Sequence, residues 1–257
     1  MLTKISPILL ALIFLACQPK PTEQVKDENP PAEGFNLEAS DARAIALADQ
    51  VMLAMGGRKA WDNTRYIKWI FFGARRHLWD KNTGWARIED QRSDLKILVN
   101  VNADPLVGKV YKDGAEKTDS LDFYLDRGKR MWINDSYWLV MPYKLKDSGV
   151  TLTYEGADTT QNGEQAEVIR LTFDQVGVTP QNAYKVWITP QDSLVKQWAY
   201  YANASDSAAG FTRKWGDYKR KGDILLSGER GGDRWLTEIE VLREVPEGVF
   251  ESFDTVF

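Results

Sequence analysis

Hydrophobic and polar positions alternate with a period of two over much of the chain after residue 64. Residues 65–73 are typical, since Ile67, Trp69 and Phe71 fall on one face of an extended strand and the residues between them on the other. Turn sequences rich in Gly, Asn and Asp separate such runs, as in antiparallel hairpins. The pattern predicts roughly a dozen short strands in one large antiparallel sheet or barrel. The predicted strands cover residues 65–73, 75–80, 85–90, 93–102, 107–112, 151–155, 167–173, 183–188, 194–201, 212–219, 223–228 and 235–242.

Two segments depart from this alternation and predict helices. The first begins with Ser40 as N-cap, carries apolar residues such as Ile45 and Met55 at helical spacing, and ends at a Gly-Gly pair. An apolar stripe of this kind most commonly packs against a sheet. The second, residues 125–142, is rich in aromatic residues that alternate poorly, and it predicts a short helix or lid between two groups of strands.

The N-terminus has the pattern of an export signal. One charge, Lys4, precedes an uncharged run over residues 5–16, which is too short to cross a bilayer core of about 30 Å as a helix. The only cysteine of the chain, Cys17, follows this run directly. The sequence therefore predicts a signal peptide over residues 1–16.

Leu15-Ala16-Cys17 resembles the lipobox of bacterial lipoproteins, in which the cysteine is lipidated and becomes the first residue of the mature chain. Phe14 departs from that pattern, in which Leu is usual. Gln18 is not the Asp that retains some lipoproteins in the inner membrane. The resemblance therefore implies a lipid anchor in the outer membrane, facing the periplasm or, alternatively, the cell surface. A plain secretory signal with a chance cysteine, or a short membrane anchor, is the other reading.

A polar segment separates this anchor from the predicted strands. Residues 18–34 contain four prolines, six charged side chains and no aromatic residue. Such a segment cannot bury enough apolar surface to offset the entropy lost on ordering. We therefore expect a lipidated Cys17 with a disordered tether over residues 17–36, followed by a single domain over residues 37–257.

Composition disfavours several kinds of chemistry. With one His and one Cys, the chain has no internal disulfide, no multi-cysteine zinc site and little basis for a catalytic triad. No nucleophile elbow accompanies His77, which is expected on an exposed strand. Asp119, Asp122 and Asp126 lack the order of a calcium loop and are expected on a solvated face. The net charge of −4 gives no reason to expect nucleic acid, and the basic residues 213–223 are expected on an outer strand face or against lipid headgroups.

Two stretches carry a resemblance to a known group of proteins. ADQVMLAMGGRKAWDNTRYIKWIFFG resembles an opening helix, Gly-Gly stop and first strand, and MWINDSYWLVMPYKLKDSGVTLTY resembles a central lid and the strand after it. Together with the order of elements over residues 37–257, they resemble the LolA/LolB-like group of periplasmic lipoprotein-handling proteins and its outer-membrane lipoprotein relatives. The resemblance implies a mainly β fold, in which a large curved antiparallel sheet forms a half-barrel closed by short helices around an apolar cavity for acyl chains.

These observations predict a binding protein rather than an enzyme. Ten Trp, ten Tyr and ten Phe exceed what the core requires and could line a groove for a lipid or another hydrophobic ligand. We expect a monomer held at the membrane through Cys17, possessing no catalytic residues, metal or cofactor, with a role in lipid or lipoprotein trafficking. The alternatives are an accessory lipoprotein that binds a protein partner and, with least support, an envelope hydrolase. The candidate cavity residues are Ile67, Trp69, Phe71, Trp132, Trp138, Trp187 and Trp198.

The substitution Cys17→Ala is expected to release the protein from membranes, because the acyl chains of the anchor contribute about 0.8 kcal/mol per buried CH₂ group. The measurement is the distribution of the protein between membrane and soluble fractions of lysed cells. Gln18→Ala is the matched control and should remain in the membrane fraction. Persistent membrane association of the Cys17→Ala variant would show that another element holds the chain there.

Overall fold

The structure is a computed structural model that describes residues 28–174 and 177–257. The predicted signal peptide, Cys17 and the first part of the predicted tether lie outside these residues. Within the described ranges the chain forms fourteen strands, three α-helices and one 3₁₀ turn. None of these helices is long and apolar enough to cross a membrane.

The helices are α1 (Ala42–Ala54), α2 (Arg58–Asn63) and α3 (Leu121–Val140), and α3 continues into the 3₁₀ turn (Met141–Lys144). The strands are β1 (Tyr66–Phe71), β2 (Arg75–Asp80), β3 (Trp85–Asp90), β4 (Lys96–Asn100), β5 (Val107–Lys112), β6 (Ala115–Lys117), β7 (Val150–Thr159), β8 (Gln165–Phe173), β9 (Ala183–Ile188), β10 (Val195–Tyr201), β11 (Phe211–Lys214), β12 (Gly216–Lys221), β13 (Ile224–Glu229) and β14 (Leu236–Leu242).

The strands form two antiparallel meanders joined by a hairpin. The first is a seven-stranded sheet in the order β14-β1-β2-β3-β4-β5-β6, and the second a five-stranded sheet in the order β11-β10-β9-β8-β7. Strands β12 and β13 form the hairpin between them. The backbone N–H of Trp215 donates to Lys196 on β10 at 2.7 Å, and Glu229 bridges Trp235 before β14. The three sheets therefore follow one another around one curved surface.

This curved surface is open between its outermost strands, β6 and β7. In the described part of the chain no ladder joins these two strands. Irregularities of register in β1, β7 and β10 bend the strands, as β-bulges do. The predicted fold class is confirmed, since the protein is mainly β with antiparallel strands, few helices and an open curved sheet. Hydrogen bonding divides the expected single sheet into three.

Helix α3 connects the two outermost strands. It has 20 residues, which corresponds to a length of about 30 Å. The helix predicted over residues 125–142 begins one turn later than α3, which starts after Ser120. Asp122 stabilises this earlier start by adding a negative charge to the first turn. Pro142 lies within the following 3₁₀ turn, where it does not interrupt the hydrogen bonds of α3.

Helix α1 packs with its apolar face against the core, as its stripe indicates. Its N-cap is Asp41 rather than Ser40. The Ser40 hydroxyl instead accepts the backbone N–H of Leu152 at 3.0 Å, and the Asp41 carboxylate accepts that of Tyr154 at 2.8 Å. Both acceptors lie against the edge of β7, so the start of α1 covers backbone donors that would otherwise be free.

The end of the predicted tether lies against the folded unit. The Lys146 amino group donates to the Asn29 carbonyl at 2.6 Å and to the Asp49 carboxylate of α1 at 2.8 Å. Backbone hydrogen bonds also join residues 32–36 to the chain before and at the start of β7. Hydrogen bonds hold most of these residues, and Phe35 adds one buried side chain to the core. The order of residues 28–36 departs from the disordered tether predicted over residues 17–36.

Gly128 sets the distance between α3 and the seven-stranded sheet. A Cβ atom at this position would lie 2.7 Å from Cγ2 of Ile97 on β4. Gly128→Val should therefore push α3 away from the sheet and lower the free energy of unfolding by about 1–3 kcal/mol, the usual cost of overpacking. Chemical denaturation measures the change. Arg127→Val introduces the same side chain at the exposed neighbouring position and costs helix propensity only, a cost that Gly128→Val does not have because Gly is the poorer helix former. Destabilisation by Gly128→Val that does not exceed that by Arg127→Val would contradict the close packing.

Candidate functional site

A cavity of about 600 Å³ lies between the C-terminal half of α3 and the inner face of the five-stranded sheet. This volume falls within the range of about 300–1,000 Å³ that is typical of small-molecule sites. Its wall is largely aromatic. The aromatic lining residues are Tyr137, Trp138, Phe173, Tyr184, Trp198, Tyr200 and Phe211.

The antiparallel register of β9 and β10 builds the floor of this cavity. Tyr184 pairs with Tyr200, and Val186 pairs with Trp198, so these side chains share one face of the sheet. The rings of Tyr184 and Trp198 stack with centroids 5.2 Å apart and planes 4° apart. Tyr200 stacks in turn on Phe211 of β11 at 5.1 Å. Neighbouring strands thus contribute one continuous aromatic surface.

Helix α3 supplies the opposite wall through Tyr137 and Trp138. The Trp138 ring meets Trp198 edge-on at 4.7 Å and stacks on Phe211 at 5.3 Å. Tyr137 lies 5.2 Å from Tyr184, measured between ring centroids. Aromatic pairs in such geometries contribute about 0.5–1.5 kcal/mol each beyond their buried area. These contacts hold α3 at a defined distance from the sheet and leave the space beside them open.

Arg230 fixes the end of α3 from behind. Its guanidinium donates to the Trp138 carbonyl at 3.1 and 2.5 Å and lies 3.6 Å above the Trp215 ring. Burial lowers the pKa of Arg230 to about 9. A cation at the last turn of a helix compensates the unpaired carbonyls there. Neither its burial nor its partners could be inferred from the sequence.

Polar side chains interrupt the aromatic wall at a few places. The Asn182 amide donates to the Thr179 hydroxyl at 2.7 Å and accepts the Tyr200 hydroxyl at 3.3 Å. Lys144 and Asp147 form an ion pair whose side chains are 40% and 35% exposed. Among the described lining residues these two are the only ones with formal charges, and the charges are opposite. The wall is therefore neutral as a whole.

Burial raises the pKa of two tyrosines of the cavity, Tyr184 and Tyr137. Burial raises the pKa of Tyr184 to about 12, with a further contribution from Tyr200. Burial, then the neighbouring Tyr184 and the Asp147 carboxylate, raise the pKa of Tyr137 well above its ordinary value. The Tyr137 hydroxyl and the Trp198 indole N–H have no hydrogen-bond partner within the described chain. The site therefore offers apolar surface and neutral donors.

Two of the seven predicted cavity residues, Trp138 and Trp198, lie in this wall. Trp187 lies on the outer face of β9, where its indole N–H donates to Asp158 at 2.9 Å. Successive side chains of a strand point to opposite faces, so Trp187 cannot share a wall with its neighbour Val186. The aromatic residues of β9 predicted a binding surface, but the sequence did not specify on which face of the sheet Trp187 lies.

The other four predicted residues belong to the core. Ile67, Trp69 and Phe71 are buried on β1. Trp132 of α3 packs edge-on against Trp79 of β2, with ring centroids 5.1 Å apart. The structure thus brings these four together beside the seven-stranded sheet, away from the lining of the cavity. The alternation of Ile67, Trp69 and Phe71 identified the inner face of a strand. It did not identify which sheet borders the cavity.

Five lining aromatics were missed by sequence reasoning. Tyr200 alternates with Trp198 along β10, and Tyr184 and Phe211 pair with Tyr200 on the two neighbouring strands, so the period of two carries a signal that could have found them. The five are Tyr137, Phe173, Tyr184, Tyr200 and Phe211.

His77 is buried, and the expectation that it lies on an exposed strand is wrong. Its Nε2 lies 2.7 Å from Oδ2 of Asp135 on α3. Arg75 donates through Nε and Nη2 to the two oxygens of the same carboxylate at 2.6 and 2.8 Å. The Trp69 ring stacks on His77 at 4.5 Å. The flanking arginines suggested solvent, yet Arg75 shares the inner face of β2 with His77 and pairs with Asp135.

The electrostatics of this cluster keep the ion pair charged and the histidine neutral. Burial lowers the pKa of His77, and the hydrogen bond to Asp135 offsets this effect only in part. Burial acts to raise the pKa of Asp135, but the hydrogen bonds from Arg75 and His77 outweigh it and hold the pKa below its ordinary value. The cluster joins α3 to β2.

The remaining charged candidates lie on the surface. Asp119, Asp122 and Asp126 are exposed, and among the residues that the structure describes no three His, Asp or Glu side chains are grouped as metal ligands. In the basic stretch 213–223, Lys214 pairs with Glu229 at 2.9 Å. Its aromatic residues, however, point inward.

Comparisons with solved structures include two of low sequence identity. A DUF1329 family protein from Desulfovibrio piger is 13% identical, with a TM-score of 0.47 over 81% of this chain and 97% of that chain. A putative outer membrane lipoprotein-sorting protein domain from Vibrio parahaemolyticus is 8% identical, with a TM-score of 0.42 over 81% of this chain and 96% of that chain. No protein-family model and no curated protein matches the sequence.

Burial of His77 predicts a loss of stability in mild acid. Its pKa in the folded state lies below the ordinary 6.5, so the unfolded chain binds more protons and the free energy of unfolding falls as the pH drops below about 6.5. The slope from one such group is at most about 1.4 kcal/mol per pH unit. Denaturation of the wild type and of His77→Gln between pH 5 and 7 measures it.

Because the chain has a single histidine, the difference between these two slopes belongs to His77. The variant is expected to be less stable throughout but to depend less on pH in this window. Equal slopes would mean that His77 titrates normally and is not buried as a neutral ring.

Proposed function

We propose that this protein is a lipid-anchored protein of the cell envelope that holds a hydrophobic ligand in the aromatic cavity. The observation that carries this proposal is a cavity of about 600 Å³ with a mostly aromatic wall. At roughly 30 Å³ per non-hydrogen atom, the share of one water molecule in the liquid, this space holds on the order of 20 such atoms. That is the size of one acyl chain with a small headgroup.

The open cavity favours ligand binding over a purely structural role. An accessory lipoprotein that only presents a surface has no need for unfilled space, because protein interiors are otherwise packed as densely as organic crystals. Each CH₂ group transferred from water into such a site contributes about 0.8 kcal/mol. A single chain would thus supply most of the binding free energy, and the wall needs few polar contacts.

The N-terminal sequence supports a place at the membrane. An export signal followed by Cys17 and a polar segment would hold the domain close to its source of lipid. Lys146 binds Asn29, near the start of the described residues. Lys146 lies in the turn region that also carries Asp147 of the cavity. An anchored carrier or acceptor of this kind would take part in lipid or lipoprotein trafficking.

Binding of monopalmitoylglycerol tests this proposal. Native mass spectrometry of the full chain carrying Cys17→Ala, without detergent, should show one ligand per chain. Trp138→Ala opens the wall and is expected to weaken binding by about tenfold or more, equivalent to about 1.4 kcal/mol. Trp187→Ala removes the same side chain from the outer face of the sheet and should leave the affinity unchanged.

Both variants must first show wild-type near-ultraviolet circular dichroism apart from the missing indole. Equal effects of the two substitutions would place binding elsewhere. If neither monopalmitoylglycerol nor a co-purifying lipid binds to the folded wild type, the proposal is wrong.

A further inference from the structure

The two charged residues of the cavity wall stand beside its opening. The lining residues that are most exposed mark this opening, namely Asn134, Ser148 and residues 177–179. Lys144 and Asp147, which are half-exposed, lie at the end of the 3₁₀ turn and just after it. A ligand whose chain occupies the aromatic interior therefore places its headgroup beside this ion pair.

The backbone fixes the spacing of the pair. The N–H of Asp147 donates to the Lys144 carbonyl at 3.3 Å, and the N–H of Val150 donates to the Asp147 carbonyl at 3.2 Å. The two side chains thus leave one tight turn three residues apart and meet above it. Either side chain can rotate away from the other without a change in the backbone. Separating the pair costs little free energy, because ion pairs as exposed as this one contribute little to stability.

Three neighbouring cations on this side of the molecule are already engaged, whereas Asp174, which follows the lining residue Phe173, is exposed. Lys146 pairs with Asp49, and Arg58 pairs with Asp62. Lys81 lies over the Trp61 ring, with its amino group 4.8 Å from the ring centroid. Among the described residues that line the cavity, Lys144 and Asp147 are the only ones with formal charges, and they offer one site of each sign.

This pairing discriminates between headgroups by their charge. An anionic headgroup gains Lys144 but leaves Asp147 unpaired beside a second negative charge, which is unfavourable at the edge of an apolar site. A neutral headgroup leaves the ion pair closed and gains neither contact. A zwitterionic headgroup can satisfy both side chains, because its phosphate accepts from Lys144 while its ammonium donates to Asp147.

We propose that the opening selects zwitterionic single-chain amphiphiles of the phosphoethanolamine type, with Lys144 bound to the phosphate and Asp147 to the ammonium. This inference rests on the proposed function, since it requires a chain in the aromatic cavity. Lys144 and Asp147 are then specificity-determining residues of that site.

Three ligands with the same palmitoyl chain test the selection against the full chain carrying Cys17→Ala. They are lysophosphatidylethanolamine, lysophosphatidylglycerol and monopalmitoylglycerol, each titrated below its critical micelle concentration. The wild type is expected to bind the zwitterionic ligand about tenfold more tightly than the anionic one, with the neutral ligand between them. Asp147→Asn should reverse the order of the two phospholipids, because it frees Lys144 and removes the repelling carboxylate.

Asp126→Asn is the matched control. It makes the same change in net charge at an exposed ion pair with Arg130 on α3, outside the cavity lining, and should leave the order of affinities unchanged. Lys144→Gln provides a second, independent variant. It should weaken binding of the zwitterion, because the phosphate loses its partner, and it should keep the discrimination against the anionic ligand, because the Asp147 carboxylate remains. Equal wild-type affinities for all three ligands, or equal shifts in Asp147→Asn and Asp126→Asn, would overturn the selection while leaving the proposed function intact. Failure of all three to bind would overturn both.

Discussion

A carboxylate that is removed from water must recover its lost hydration from other donors, and Asp135 recovers it from Arg75, His77 and Asn134. Removing one partner of a buried ion pair typically costs about 3–5 kcal/mol, because the remaining charge is left without compensation. The pair lies between α3 and β2, so it fixes the one helix that crosses from β6 to β7. The cavity depends on this constraint, since its helical wall is part of α3.

The same helix presents different chemistry to its two neighbours. Asp135 turns toward the seven-stranded sheet, whereas Tyr137 and Trp138 face the five-stranded sheet. Successive residues of a helix are about 100° apart, so Tyr137 lies about 200° around the helix from Asp135 and reaches the opposite wall. Trp138 lies only about 60° from Asp135, and its ring also meets Phe72, just after β1, with ring centroids 5.2 Å apart. Gly128 allows close approach at one end, and Arg230 holds the carbonyl of Trp138 at the other. A rigid α3 with a rigid aromatic floor gives a cavity that exists before any ligand enters.

The local sequence pattern predicted the positions of the strands well. It did not predict which distant residues the side chains of these strands contact. The runs over residues 75–80, 85–90, 107–112 and 183–188 coincide with β2, β3, β5 and β9, because alternation and turn residues act over a few positions. Whether an inner face meets core or cavity depends on contacts between distant segments. That is why Trp198 lines the cavity whereas Trp69 is stacked on His77. The burial of His77 required knowledge of Asp135, which lies 58 residues away in sequence.

The pairing of β14 with β1 has a consequence for how the chain reaches its final form. Each meander is built from hairpins between consecutive strands, which close short loops and assemble quickly. The seven-stranded sheet is completed only when Leu242 reaches Tyr66, across nearly the whole domain. Translation proceeds from the N-terminus, so the last strand to emerge is the one that joins strands β1 to β6 to the hairpin and the second meander. The complete sheet can therefore form only after the C-terminal segment has left the ribosome.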